Sequence, residues 1–168
     1  AEVYIKSIIG QGSAAMRLDD GSWYGSLEEF NVLKGYWIVS DLDDIGSLEF
    51  SWISTGLIRK EYAKMKHNDI INLPDEYKYM QSTEQAFYFF DEVTVDGHDI
   101  YPGEWIIAMH GDKVLGARQW TGDIIDVPVM GYDDFTGSEN YCIAGDVPEF
   151  KLYRPGTDEL IDLDGNIP

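Results

Sequence analysis

Apolar and polar positions along this chain alternate in short runs, and turn-forming residues separate the runs at spacings of roughly ten residues. Residues 3–9 predict a strand, ended by Gly10-Gln11-Gly12. Asp19-Asp20-Gly21 turns the chain before Trp23, and Lys34-Gly35 turns it before Tyr36-Trp37-Ile38-Val39. Asp41-Leu42-Asp43-Asp44 breaks it again ahead of a strand over 48–53. Further on, the AFYFF run at 86–90 is too apolar for an edge and predicts a central strand. Strands over 93–95, 105–109 and 113–118 are set off by Gly-containing turns, at 96–97, 102–103 and 111–112. The EFKLY run at 149–153 alternates, as a half-buried strand does, and 160–163 predicts the last strand.

One segment breaks the rhythm. Residues 57–69, LIRKEYAKMKHND, place Ile58, Tyr62 and Met65 at i, i+4 and i+7 on one helical face and carry Arg59, Lys60, Lys64 and Lys66. This predicts a short helix or ordered linker, read as a solvated connector in preference to a basic contact site. Pro74-Asp75 then marks a boundary. The pattern therefore predicts a mainly β protein of two packed small β modules. Residues 1–72 form the first with a helical or irregular connector, and 73–168 form an antiparallel β-sandwich. A faint echo, Gly35-Tyr-Trp-Ile-Val against Gly103-Glu-Trp-Ile-Ile, is explained in both places by a turn glycine feeding a Trp-led strand.

Composition narrows the function classes. The 168 residues are 44% hydrophobic, enough for a packed core. The net charge of −19 opposes nucleic acid and anionic membrane surfaces, and leaves cations and neutral polar ligands as compatible partners. No apolar run approaches the ~18 residues of a membrane span, so membrane insertion is not expected. The start at Ala1, without Met or a signal-like segment, is read as a mature or excised piece of something larger.

The chemistry on offer is sparse. Cys142 is alone and reads as a small buried hydrophobe, with no recognisable spacing to His67, His98 or His110. His110, in Met-His-Gly-Asp, reads as a turn residue. Neither G-x-S-x-G nor H-E-x-x-H occurs, and no carboxylate pair stands out, so the chain is not expected to be an enzyme.

Two binding chemistries compete for the irregular, acid-rich stretch from Gln119 to Asp134. Hard cations need several oxygens, and Asp123, Asp126, Asp133 and Asp134 are the expected Ca²⁺ ligands there. Asp162 and Asp164, in a D-x-D-x-N spacing, are a second possibility, although Ile167 stands where an EF-hand wants glycine. Bound cations would also relieve the self-repulsion of an acidic chain. Alternatively Trp120, beside Arg118 and Gln119 and near Tyr132, would be a platform for a cell-surface or matrix glycan. Trp37, Trp52 and Trp105 lie inside apolar strands and are expected in the core. Arg118 is expected to pair with a carboxylate such as Asp123 or Asp126 in preference to a ligand.

The run from QSTEQAFYFF through TVDGHDIYPGEWIIAMHGDKVLGARQW, DVPVMGYDD and GDVPEFKLY resembles modules in large secreted proteins of marine bacteria and in tail-fibre-like proteins of marine phages. The strings that carry the likeness fall at 86–90, 96–97, 103–106, 111–118, 126–131 and 148–153. Residues 9–14, 20–27 and 34–37 are similar to a companion module. Together they cover about two-thirds of the chain. In place of the usual Asp-Asp-Gly turn after D-V-P-V-M-G, this chain has Tyr132-Asp133-Asp134-Phe135. The resemblance implies a non-catalytic module, secreted or on a virion surface, that serves attachment or assembly with neighbouring modules of a parent protein.

Overall fold

The computed structural model describes residues 4–31, 33–40, 73–134 and 137–165. Within them the chain is mainly β, in several antiparallel sheets consistent with a β-sandwich. The strand expected over 48–53, the helical segment over 57–69, Trp52 and His67 lie outside the described residues.

Four strands form an N-terminal sheet: β1 (Ile5–Gly10), β2 (Ser13–Arg17), β3 (Trp23–Tyr24) and β4 (Trp37–Ser40), in the order β3-β2-β1-β4. The β1–β2 hairpin closes with Gly10 opposite Ser13 across Gln11-Gly12. Gly12 sits at φ +71, which a two-residue hairpin turn requires and glycine supplies without strain. Strand β2 has no counterpart in the apolar–polar pattern, because SAAMR has little strand propensity of its own. It is recruited by pairing with β1.

The C-terminal part contains β5 (Gln85–Phe90), β6 (Thr94–Val95), β7 (His98–Asp99), β8 (Trp105–His110), β9 (Lys113–Gln119), β10 (Ile125–Met130), β11 (Glu149–Arg154) and β12 (Glu159–Leu163). Strands β12-β11-β8-β9 make one sheet, and β10 pairs with β5 in a second layer. The β6–β7 turn uses Asp96 at φ 53 and Gly97 at φ 77, both left-handed, as an Asp-Gly hairpin turn does.

Strand β8 explains how the layers meet. Its alternate residues Ile106 and Ala108 face a core shared with Leu115, Ile125, Val127, Val129 and Leu152, between the sheet and the β5–β10 pair. The intervening Trp105 and Ile107 pack on the opposite face with Leu73, Ala117 and Tyr153. A strand buried on both faces reads as a continuous apolar run, which is what Trp-Ile-Ile-Ala-Met is. Leu73 thus packs into the C-terminal core directly at the expected module boundary.

The echo between the two Trp-led strands does not extend to their environments. Trp105 is 3% exposed, whereas Trp37, expected in the core, is 58% exposed. Strand β4 pairs with β1 and is the outermost strand of its sheet among the described residues.

Tyr79 packs against both apolar clusters. Burial pushes its phenol above the ordinary value of 10.0, an effect partly opposed by the Arg118 charge. The fold favours the neutral phenol, so this contribution to stability is complete below pH 10 and is lost as pH rises through the raised folded value. A Tyr79→Phe variant is expected to lose less stability than the parent above pH 10. Urea melts at a series of alkaline pH values measure this, and equal losses in the two proteins would refute it.

Candidate functional site

Residues 125–130, expected within an irregular loop, instead form β10, a strand buried along its whole length. Asp and Pro are both disfavoured in strands, which hid it. Here tertiary contacts supply what propensity lacks. Pro128 lies opposite Phe87 of β5. On the other side β10 passes so close to β9 that a Cβ built on Gly116 would overlap the Pro128 carbonyl and sit 2.7 Å from its carbon. The β8–β9 register also slips between Ala108 and Met109, placing Leu115 as the extra residue of a bulge beside Gly116.

Asp126 is the centre of this strand's chemistry, at 1% exposure. Its Oδ2 accepts the Ala14 N–H at 3.0 Å and the Ser26 hydroxyl at 2.8 Å, and its Oδ1 accepts the Ser26 N–H at 2.6 Å. Arg118 Nη2 donates to Oδ2 at 3.1 Å and to the Gly12 carbonyl at 3.0 Å, while Arg118 Nε donates to the Asp126 carbonyl at 2.8 Å. Gln85 adds a second tie, accepting from the Gly12 N–H at 3.2 Å and donating to the Gly10 carbonyl at 2.9 Å. Of the two carboxylates expected from the sequence as partners of Arg118, Asp123 and Asp126, the structure pairs it with Asp126. Its purpose is clear only in three dimensions: the carboxylate of one sheet caps backbone donors of the other. Four hydrogen bonds from protein donors occupy the Asp126 carboxylate that was expected to ligate calcium.

The other residues expected at this site are dispersed. Trp120 is 7% exposed within the main core, and its backbone N–H and carbonyl bond to Glu104 and Gly103, so the ring offers no platform to a sugar. Gln119 donates to the Gly103 carbonyl at 3.1 Å. Tyr132 is exposed, and a hydrogen bond to Asp134 raises its phenol. Asp123 accepts the Ile124 N–H at 2.8 Å, and Asp133 accepts the Thr83 N–H at 2.8 Å. Asp162 pairs with Lys151 at 2.6 Å, and Asp164 lies exposed just beyond β12. Among the described residues, no three of these carboxylates converge at metal-binding distance.

The convergence that does occur was not anticipated. His110 at the end of β8, Cys142 and Asp146 each present one ligand atom within 4.8 Å of the others. His110 Nε2 lies 3.9 Å from Asp146 Oδ2. Cys142 is held by a bridge to Gly131, and its carbonyl accepts the Tyr132 N–H at 2.9 Å. No periodicity in the sequence links β8 to this loop; the contacts of His110 with Asn140 and Asp146 bring them together, and the Gly131–Cys142 bridge ties the loop to the end of β10. Burial and the Asp146 carboxylate both raise the Cys142 thiol, which is the opposite of what an activated nucleophile needs. An open cleft of about 300 Å³ lies nearby along the chain, lined by Asp112, Lys113 and Tyr141 among others.

No protein-family model, curated protein or solved structure matches the chain. Among the described residues, no helix is long and apolar enough to cross a membrane.

Proposed function

We propose that this chain is a non-catalytic module, displayed outside the cell or on a virion, that assembles with a neighbouring module of its own kind through the outer face of the N-terminal sheet. The observation that carries the reading is the exposure of Trp37 and Val39. These alternate residues of β4 lie on one face and are 58% and 44% exposed, with Leu33 exposed just before them. Grouped exposed apolar side chains on one face of a β-sheet favour association, since contact between two such faces buries them. The charge of −19 sets the two copies against each other, so added salt strengthens the contact by screening.

Sedimentation of the purified chain over a wide concentration range tests this. Self-association is expected, stronger in high salt and weakened at least about tenfold by Trp37→Ser, a change of roughly 1.4 kcal/mol. A monomer at every concentration and salt level would overturn the proposal.

A further inference from the structure

We propose that His110, Cys142 and Asp146 form a binding site for one divalent transition-metal ion of the zinc class, a function separate from the assembly face. Three different ligand types, an imidazole nitrogen, a sulfur and a carboxylate oxygen, already lie within 4.8 Å of one another. A tetrahedral ion with bonds of about 2.0–2.3 Å holds its ligand atoms roughly 3–4 Å apart, so side-chain adjustments of about an ångström close the site. The 3.9 Å between His110 Nε2 and Asp146 Oδ2 is within that span.

The surroundings orient each ligand. His110 Nδ1 lies 3.3 Å from the Asn140 carbonyl oxygen, a partner that takes the Nδ1–H and leaves the Nε2 lone pair directed at the cluster. Metal-ligating histidines use this arrangement, because the outer hydrogen bond fixes both tautomer and ring direction. Asp146 Oδ2 accepts the Ile143 N–H at 2.9 Å, and the Asp146 N–H donates back to the Ile143 carbonyl at 3.0 Å, which closes the loop around the carboxylate. Asn140 at φ 67 and Gly145 at φ 102 supply the left-handed positions that bend this segment back toward β8.

The donor set selects the ion. A thiolate and an imidazole suit zinc, cobalt, nickel or copper and do not suit calcium or magnesium, which want oxygen alone. The Cys142 thiol gives up its proton to solvent when the metal–sulfur bond forms, so no oxidant or further reactant is needed. His110 and Asp146 are partly exposed, which leaves the fourth position to water. Binding ties the loop that carries Cys142 and Asp146 to the end of β8.

Cobalt is the probe, because thiolate ligation gives it a charge-transfer absorption in the near ultraviolet. Titrating Co²⁺ into the reduced full chain should produce this band with a stoichiometry of one. Zn²⁺ should displace it and excess Ca²⁺ should not. Asp146→Asn and His110→Gln should each weaken Co²⁺ by more than the roughly 10–100-fold that loss of an outer hydrogen-bond partner costs. Circular dichroism shows whether the variants are folded. Absence of the band in the parent protein at millimolar Co²⁺ refutes the proposal without recourse to any variant. A band of unchanged affinity in both folded variants also refutes it, since cysteine alone would then be the ligand. Loss of self-association in Trp37→Ser with Co²⁺ binding intact would separate this site from the assembly face.

Discussion

Replacing Asp126 with alanine is expected to destabilise the protein by about 3–5 kcal/mol, the cost of removing one partner from a buried, hydrogen-bonded ion pair. The change strands the Ala14 N–H, the Ser26 N–H and hydroxyl, and one arm of the Arg118 guanidinium, all of which now donate to this carboxylate. Desolvated donors without acceptors carry the loss, whereas the methylene removed is small. For a chain of this size the melting temperature should fall by on the order of 10 °C. The damage should also be directional. Asp126 spans the two parts of the chain, so amide exchange should accelerate first in β1, β2 and the loop at Ser26, before the β8–β11 core. Thermal melts combined with native-state hydrogen exchange check both statements. A loss below about 1 kcal/mol, or uniform acceleration across both sheets, would show that the carboxylate is not what joins them.

Gly116→Ala is expected to cost at least about 3 kcal/mol, at the upper end of what overpacking a core does. A methyl group there overlaps the backbone carbonyl of Pro128, not the flexible end of a side chain, so β9 and β10 must move apart to admit it. That separation opens the core lined by Leu115, Val127 and Val129 and stretches the Arg118–Asp126 contacts one turn of the pleat away. Gly35→Ala is the matching control, since nothing lies within 4 Å of a Cβ at that position. Its effect should stay within roughly 0.5 kcal/mol. Urea denaturation of the three proteins measures the difference. Similar midpoints for the two variants would mean that the sheets tolerate a wider spacing than their contacts indicate.

Both positions illustrate which parts of the site could be read in advance. The Arg118–carboxylate pair was legible, because an arginine near several aspartates in an apolar surrounding has few other stable outcomes. The strand that carries Asp126 was not. The string Ile-Asp-Val-Pro-Val-Met offers alternating apolar residues interrupted by two strand-breaking types, and it is the other sheet's N–H donors and the bulk of Phe87 that make the interruption stable. Trp120 follows a strand and precedes an acidic stretch, which in sequence makes it a candidate platform in the alternative, glycan-binding reading. Its ring enters the core because Ile125 to Met130 returns as a strand over the same sheet and not outward as a loop.

Alternation of apolar and polar residues, with Asp-Gly and Gly-containing turns between, was sufficient for the mainly β class and for most strands of the C-terminal sheet. These are local properties: a side-chain period of two and a left-handed turn residue act within a few positions of the chain. Which aromatic is buried is not local. Gly-Tyr-Trp-Ile-Val and Gly-Glu-Trp-Ile-Ile both lead into strands, yet Trp105 is buried in the core and Trp37 is mostly exposed. The His110, Cys142 and Asp146 cluster belongs to the same category, with His110 and the Asn140 that orients it 30 positions apart in sequence. Contacts across such separations depend on how sheets stack and how loops return over them, and a pattern of neighbouring residues carries no record of either.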